Sequence, residues 1–99
     1  MNPLAERMVK EARLRILKEL ANQVDGRLSE LAMRTLLNMY GIVRDRDWIA
    51  TQLRKMESLG AIELIITGTI MHAKILRAGR DHLEESAVIE GIMRPSDDY

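Results

Sequence analysis

The sequence predicts a small α+β domain, mainly α, and three observations carry that expectation. Apolar residues Ile49, Leu53 and Met56 step by four and then three, which lays one stripe along one face of a helix. Gly60 follows the stripe and can take the left-handed conformation that a helix C-terminal cap prefers. Beyond it the helical period gives way to short apolar runs on either side of Thr67-Gly68-Thr69, the pattern of a hairpin. With two amphipathic helices ahead of this stretch, the order is that of a winged helix-turn-helix: a three-helix core, a two-stranded β-wing and a C-terminal helix.

The first helix is expected over residues 4–24. Val9, Ala12, Ile16 and Leu20 recur at three- and four-residue steps, and Leu17 and Val24 widen the apolar face. Arg7, Lys10, Arg13, Arg15 and Lys18 occupy much of its remaining surface, and Asp25-Gly26 marks a turn. Ser29 is a good N-cap for the second helix, because its hydroxyl can accept from an otherwise unpaired amide. Leu28, Leu31, Ala32, Thr35, Leu36 and Met39 trace the stripe of that helix, Leu37 and Tyr40 extend it, and Gly41 ends it. Asp45 caps the third helix. There Ile49, Leu53 and Met56 face inward and Trp48 packs beside them, while Asp47, Thr51, Arg54 and Ser58 lie opposite, flanked by Arg46 and Ala50. Residues 61–67 and 69–76 pair as an antiparallel hairpin turning at Gly68, with Met71, Ala73 and Ile75 on one face and Ile70, His72 and Lys74 on the other. Gly79 precedes a last helix over residues 80–90, with Leu83 and Ala87 one turn apart, ended by Gly91 and Pro95. Residues 1–90 are thus the expected domain, and 91–99 a short acidic tail.

At 99 residues the chain supports one core and no deep catalytic cleft. Aromatics are few, with Trp48, Tyr40, Tyr99 and no Phe, so the core is aliphatic and Met-rich. The absence of cysteine rules out disulfides, thiolate chemistry and cysteine-ligated zinc. His72 and His82 read as plain surface residues, and without several supporting carboxylates they make no zinc site. No nucleophile–base pairing, phosphate-cradling glycine loop or metal spacing is visible, so neither an enzyme nor a cofactor is expected. No apolar run approaches the length of a membrane span or an export signal, so the expected location is cytoplasmic, with no membrane partner. The net charge of zero averages two unlike parts: residues 1–80 carry 14 Lys/Arg against 9 Asp/Glu, whereas 81–99 carry 1 against 6. A mildly basic body is followed by an acidic end.

A helix fits the DNA major groove, where base edges present a distinguishable donor and acceptor code. The third helix has the two faces that reading requires, one apolar to anchor it and one polar. Arg46 and Arg54 can donate to guanine or phosphate, Thr51 can meet a thymine methyl or a phosphate, and Asp47 can accept from cytosine. Lys55 at the edge and Arg44 near the helix start suit phosphate, where contacts fix register without specifying sequence. On the wing, Thr67, Thr69, His72 and Lys74 can reach a flanking phosphate or the minor groove. Asp47 is also a liability, since a carboxylate repels phosphate unless it accepts from a base or orients an arginine. Double-stranded DNA is therefore the expected partner, with a homodimer through the first or last helix suited to paired half-sites. A protein-interaction module is the alternative, because winged helices serve both uses.

The chain resembles the small winged-helix proteins of Mu-like transposable phages and prophages, related to the arsenic-repressor type of regulator. Gly41-Ile42-Val43-Arg44-Asp45-Arg46-Asp47 enters the third helix, and the run from Leu53 to Ile62 matches its exit and the first wing strand. Ile75-Leu76-Arg77-Ala78-Gly79 leads to the last helix, and Gly91-Ile92-Met93-Arg94-Pro95-Ser96 resembles the family's Gly-x-x-Arg-Pro-Ser tail. The likeness spans residues 12–96, and the tail is its most specific part. It implies a phage DNA-binding protein acting in a bacterial host, a transcriptional regulator by type. Genes of this family typically lie near those for DNA packaging, which keeps a role with phage packaging or assembly proteins open. Without the cysteines of metal-sensing repressors, metal-responsive regulation is not implied.

Overall fold

A computed structural model describes residues 2–98. α1 (Pro3–Ala21) begins where a cap and a proline coincide: Asn2 Oδ1 accepts the Leu4 amide at 3.0 Å, and Pro3 needs no partner for a missing N–H. After the turn at Asp25-Gly26 comes β1 (Arg27–Ser29), and Ser29 then caps α2 (Glu30–Met39), its Oγ accepting from the Ala32 amide. Asp45 Oδ1 accepts from the Trp48 amide at 2.8 Å and starts α3 (Arg46–Ser58). β2 (Ile62–Thr67) and β3 (Ile70–Ile75) form a hairpin with Gly68 and Thr69 at its tip, and α4 (Arg77–Leu83) follows. No helix among the described residues is long and apolar enough to cross a membrane.

The ends of α2 and α3 are made in the same way. At each, the glycine (Gly41, Gly60) adopts φ +81°. Its amide and the next one donate back into the last turn: Gly41 to Asn38 O and Ile42 to Leu37 O, Gly60 to Glu57 O and Ala61 to Met56 O. These paired bonds satisfy carbonyls that a helix end otherwise leaves open, at a φ that a side chain would strain.

The hairpin belongs to a three-stranded antiparallel sheet in the order β1-β3-β2, not a two-stranded one. Leu28, expected on the stripe of the second helix, instead sits in β1 opposite Ala73. Three residues are too few for alternation to register in the sequence. The strand is held by pairing and by the Gly26 carbonyl, which accepts the Ile75 amide at 3.0 Å. The face of α2 also differs from expectation. Met33 and Leu37 are fully buried whereas Leu31 and Met39 are exposed. Both sets have helical spacing, and the docking of α2 against α1 and α3 selects the Glu30, Met33 and Leu37 side. Met71, Ala73 and Ile75 share one face as expected, and that face is the one turned to the core.

α1 is the centre of the packing. Its buried residues Ala12, Leu14, Ile16, Leu17, Glu19 and Leu20 point in more than one direction around the helix, so several elements must cover it. α2, β3 and α4 cover part of it. The rest lies under residues 84–98, the segment read partly as a helix and partly as a tail. Val24, expected to widen the α1 face, lies beyond the helix and is exposed.

The last helix starts three residues earlier than expected and ends at Leu83. Gly79 is inside it, not before it. A Cβ there would lie 2.5 Å from the Ala61 carbonyl oxygen and 2.9 Å from Ile75 Cγ1, so glycine is required for α4 to approach the sheet. Glu85 ends the helix with φ +59°, while Glu85 and Ser86 amides donate to His82 O and Asp81 O, the same pair of bonds that closes α2 and α3. A glutamate in this conformation is strained by about 1 kcal/mol or more, and because it stands where a glycine would signal a helix end, the sequence does not mark the stop.

His82, read as a surface residue, is buried and holds the segment beyond it. Its Nδ1 accepts the Ile89 amide at 3.0 Å and its Nε2 pairs with the Met93 carbonyl at 2.8 Å, so the ring proton sits on Nε2. Ile92 is buried in the core. Arg13 Nη1 donates to Gly91 O, the Met93 amide to Lys10 O, and Lys18 Nζ meets Asp98 Oδ2 at 3.3 Å. The expected acidic tail is thus folded onto α1 through Asp98, and Tyr99 lies outside the described residues.

Two outcomes follow. Gly79→Ala, a change that favours an ordinary helix interior by up to about 1 kcal/mol, is expected here to destabilise by about 1–3 kcal/mol in urea unfolding, because backbone oxygen blocks the methyl. The Glu85 carboxylate accepts the Ser96 amide at 2.8 Å, and hydrogen bonding by Ser96, through its side chain and its amide, holds Glu85 below the ordinary glutamate value. A depressed value contributes stability above the ordinary glutamate range and loses it as pH falls through the folded value. The Ser96 amide resonance should therefore titrate with a midpoint below that of a free glutamate, and Glu85→Gln should remove the titration.

Candidate nucleic-acid interface

Burial of Ile49, Leu53 and Met56 sets the rotation of α3, and Asp47, Thr51, Arg54 and Ser58 are accordingly exposed along its far side. Ala50, expected to flank that outer face, is buried and lies on the floor of a groove. The groove runs between α3, from Arg46 to Arg54, and the hairpin tip, with a volume near 300 Å³. Arg46, Asp47 and Arg54 line one wall, and Ile66, Thr69 and Met71 the other. It continues past Glu30 and Arg46 into a second lobe near 270 Å³ that adds Leu31, Arg34 and Ile70.

Arg46 is tied across this junction. Its Nε donates to Glu30 Oε1 at 2.8 Å, with the Glu30 side chain 9% exposed and that of Arg46 68% exposed. A carboxylate at the start of α2 is favoured by the amide end of the helix. Glu30 and Arg34 were not singled out from the sequence. Glu30 directly follows the Ser29 cap and reads as a routine first-turn acid, and Arg34 reads as one more solvated charge. Only the chain crossing brings them to α3. Across both lobes three arginines face two carboxylates, Glu30 and Asp47, so the local field is weakly positive.

The other candidate residues are distributed around the molecule. The Thr51 hydroxyl donates to the Asp47 carbonyl at 2.9 Å, so its hydrogen is already engaged within the helix. The Arg44 guanidinium lies 4.9 Å from the Trp48 ring centroid, beside Met8 and Glu11, on a side of α3 away from the groove. Trp48 packs against the core, as expected, while offering one face to this cation. Lys55 lies with Val9, Leu59 and Glu90, towards the start of α1. Thr67 pairs with Ile70 beside the tip, whereas Lys74 sits far along β3, between Arg27 and Glu63 in the register. The structure thus brings together Arg46, Asp47, Arg54 and Thr69, and leaves Arg44, Lys55 and Lys74 outside that cluster.

The chain matches no protein-family model, no curated protein and no solved structure.

Because Arg46 is mostly in water, its pairing with Glu30 is expected to contribute modestly. A double-mutant cycle through Glu30→Gln and Arg46→Met, followed by thermal unfolding, should return a coupling of about 0.5–1 kcal/mol. A coupling near zero would show that the contact adds nothing to stability.

Proposed function

We propose that the chain is a small winged-helix DNA-binding protein, a transcriptional regulator of a Mu-like phage or prophage, reading duplex DNA with α3. The carrying observation is the convergence of Arg46, Asp47 and Arg54 of α3 with Thr69 of the hairpin tip on one open groove. The order of helix, strand, two helices and hairpin supports the winged-helix reading. In it, α3 enters the major groove, its length of about 20 Å sufficient to present one polar face along the bases. The hairpin tip then follows the adjacent backbone, and Arg34 on α2 offers a further phosphate contact. The phage assignment draws on the Gly91-Ile92-Met93-Arg94-Pro95-Ser96 resemblance.

One observation favours the second reading, a protein-interaction module in phage packaging or assembly. Leu31, Ile66 and Ile70 are 73%, 67% and 53% exposed around the same groove. Apolar surface of this kind suits a protein partner as well as it suits deoxyribose.

Fluorescence anisotropy with labelled phage DNA at low and moderate salt separates the two. The DNA reading predicts affinity that falls as salt rises. Arg46→Ala and Arg54→Ala should each weaken binding by on the order of tenfold, while Lys74→Ala should change it several-fold less. Binding that is untouched by both arginine variants would defeat the α3 model, and no binding at low salt would favour the interaction module.

A further inference from the structure

Arg46 occupies the first position of α3 and Glu30 the first position of α2, and the two meet at 2.8 Å through Nε and Oε1. The carboxylate is the buried member and the guanidinium the exposed one. Glu30 is therefore the fixed anchor, and Arg46 is the side chain whose direction it selects. A guanidinium presents its donors along planar edges. With Nε bound to Glu30, an approach that uses Nε and one Nη is closed, and the terminal Nη1–Nη2 edge is the one left for a ligand. That edge matches two acceptors side by side, as in guanine O6 and N7 in the major groove. A backbone phosphate would offer paired acceptors too, but the Asp47 carboxylate on the same wall of the groove offsets part of the positive charge that would hold it. Asp47 has no such conflict with a base edge, where it can accept from a cytosine amino group.

We infer that Glu30 is a positioning residue that holds Arg46 end-on toward a guanine, so the duplex this chain prefers carries a guanine beneath the start of α3. The inference rests on the groove being a DNA interface, and it adds the base and the residue that aims at it.

Selection of duplexes from a random library by the full chain, with base preferences fitted position by position, tests this. The wild type is expected to enrich guanine at one fixed position. Arg46→Lys lacks the planar edge, and Glu30→Gln keeps the volume while removing the charge. Each should lower the preference for that guanine by on the order of tenfold, the discrimination that one bidentate pair supplies, and leave the other positions unchanged. Replacing that guanine by 7-deazaguanine should weaken wild-type binding by a similar factor and leave Arg46→Lys indifferent. Thermal unfolding of each variant separates loss of fold from loss of aim, and if Glu30→Gln does not fold, Glu30→Asp takes its place. A folded Glu30 variant with the full guanine preference overturns the positioning role. Enrichment without guanine at any fixed position overturns the base assignment and leaves DNA reading standing. Failure to enrich or bind any duplex overturns the DNA reading, and this inference with it.

Discussion

Ile49, Leu53 and Met56 leave no exposed surface, and their burial determines where every polar side chain of α3 points. Burying one such side chain is worth about 1.5–3 kcal/mol. Turning the helix by a single residue would bring at least one of the three towards water and carry Asp47 or Arg54 into the core, where an unpaired charge costs several kcal/mol. No contact on the polar side competes with that. The Glu30–Arg46 pair, with its arginine largely in water, contributes on the order of 1 kcal/mol or less. Apolar packing therefore sets the orientation of the helix, and the ion pair chooses only the direction of one side chain on it.

That packing in turn depends on α1, which must be covered on more sides than three helices and a hairpin supply. Residues 84–98 complete the cover with Ile92, and they are held by groups the helical pattern does not announce: both nitrogens of His82, the Arg13 guanidinium and the Glu85 carboxylate. Burial holds Arg13 below its ordinary value, which reflects its place between Gln52 of α3 and the Gly91 carbonyl. The charge asymmetry of the chain gains a structural meaning here. The acidic end lies against α1, where Asp98 meets Lys18 and the Asp97 carbonyl accepts from Arg7. Within α1, Glu6 and Glu11 pair with Lys10 and Arg7. Arg7, Lys10 and Lys18 of α1 are thus partnered by the chain itself.

What could be read from the sequence is what local chemistry decides. Ser29 and Asp45 cap their helices, Gly41 and Gly60 end them, and Met71, Ala73 and Ile75 alternate into the core, because each depends on near neighbours. Where two solutions satisfy the same local rule, tertiary packing decides. Leu31 and Met39 are spaced as well as Met33 and Leu37, and only docking exposes the former pair. β1 is too short to carry a period, and α4 stops at a strained glutamate in place of glycine. The candidate site divides along the same line. Arg46, Asp47 and Arg54 were legible from the α3 pattern, whereas Glu30 and Arg34 belong to another helix and join them only through the fold.

The composition of that groove bears on how it would recognise a partner. Three arginines beside two carboxylates make a weak field, so long-range steering adds little to encounter rates or affinity. Carboxylates next to a polyanion are costly unless each has its own donor. Glu30 has Arg46, whereas among the described residues the Asp47 carboxylate has no ion-pair partner, so a ligand could supply its donor. A binder that relied on backbone charge alone would gain by losing Asp47, whereas a binder that reads base edges can use it. The same reasoning applies to Thr51, whose hydroxyl hydrogen is taken by the Asp47 carbonyl and which therefore meets an approaching ligand with lone pairs and a methyl group, not with a donor for phosphate. If the partner is DNA, the Asp47–Thr51 part of the polar face of α3 would thus be poorly built as a phosphate clamp and better matched to directional contacts with bases.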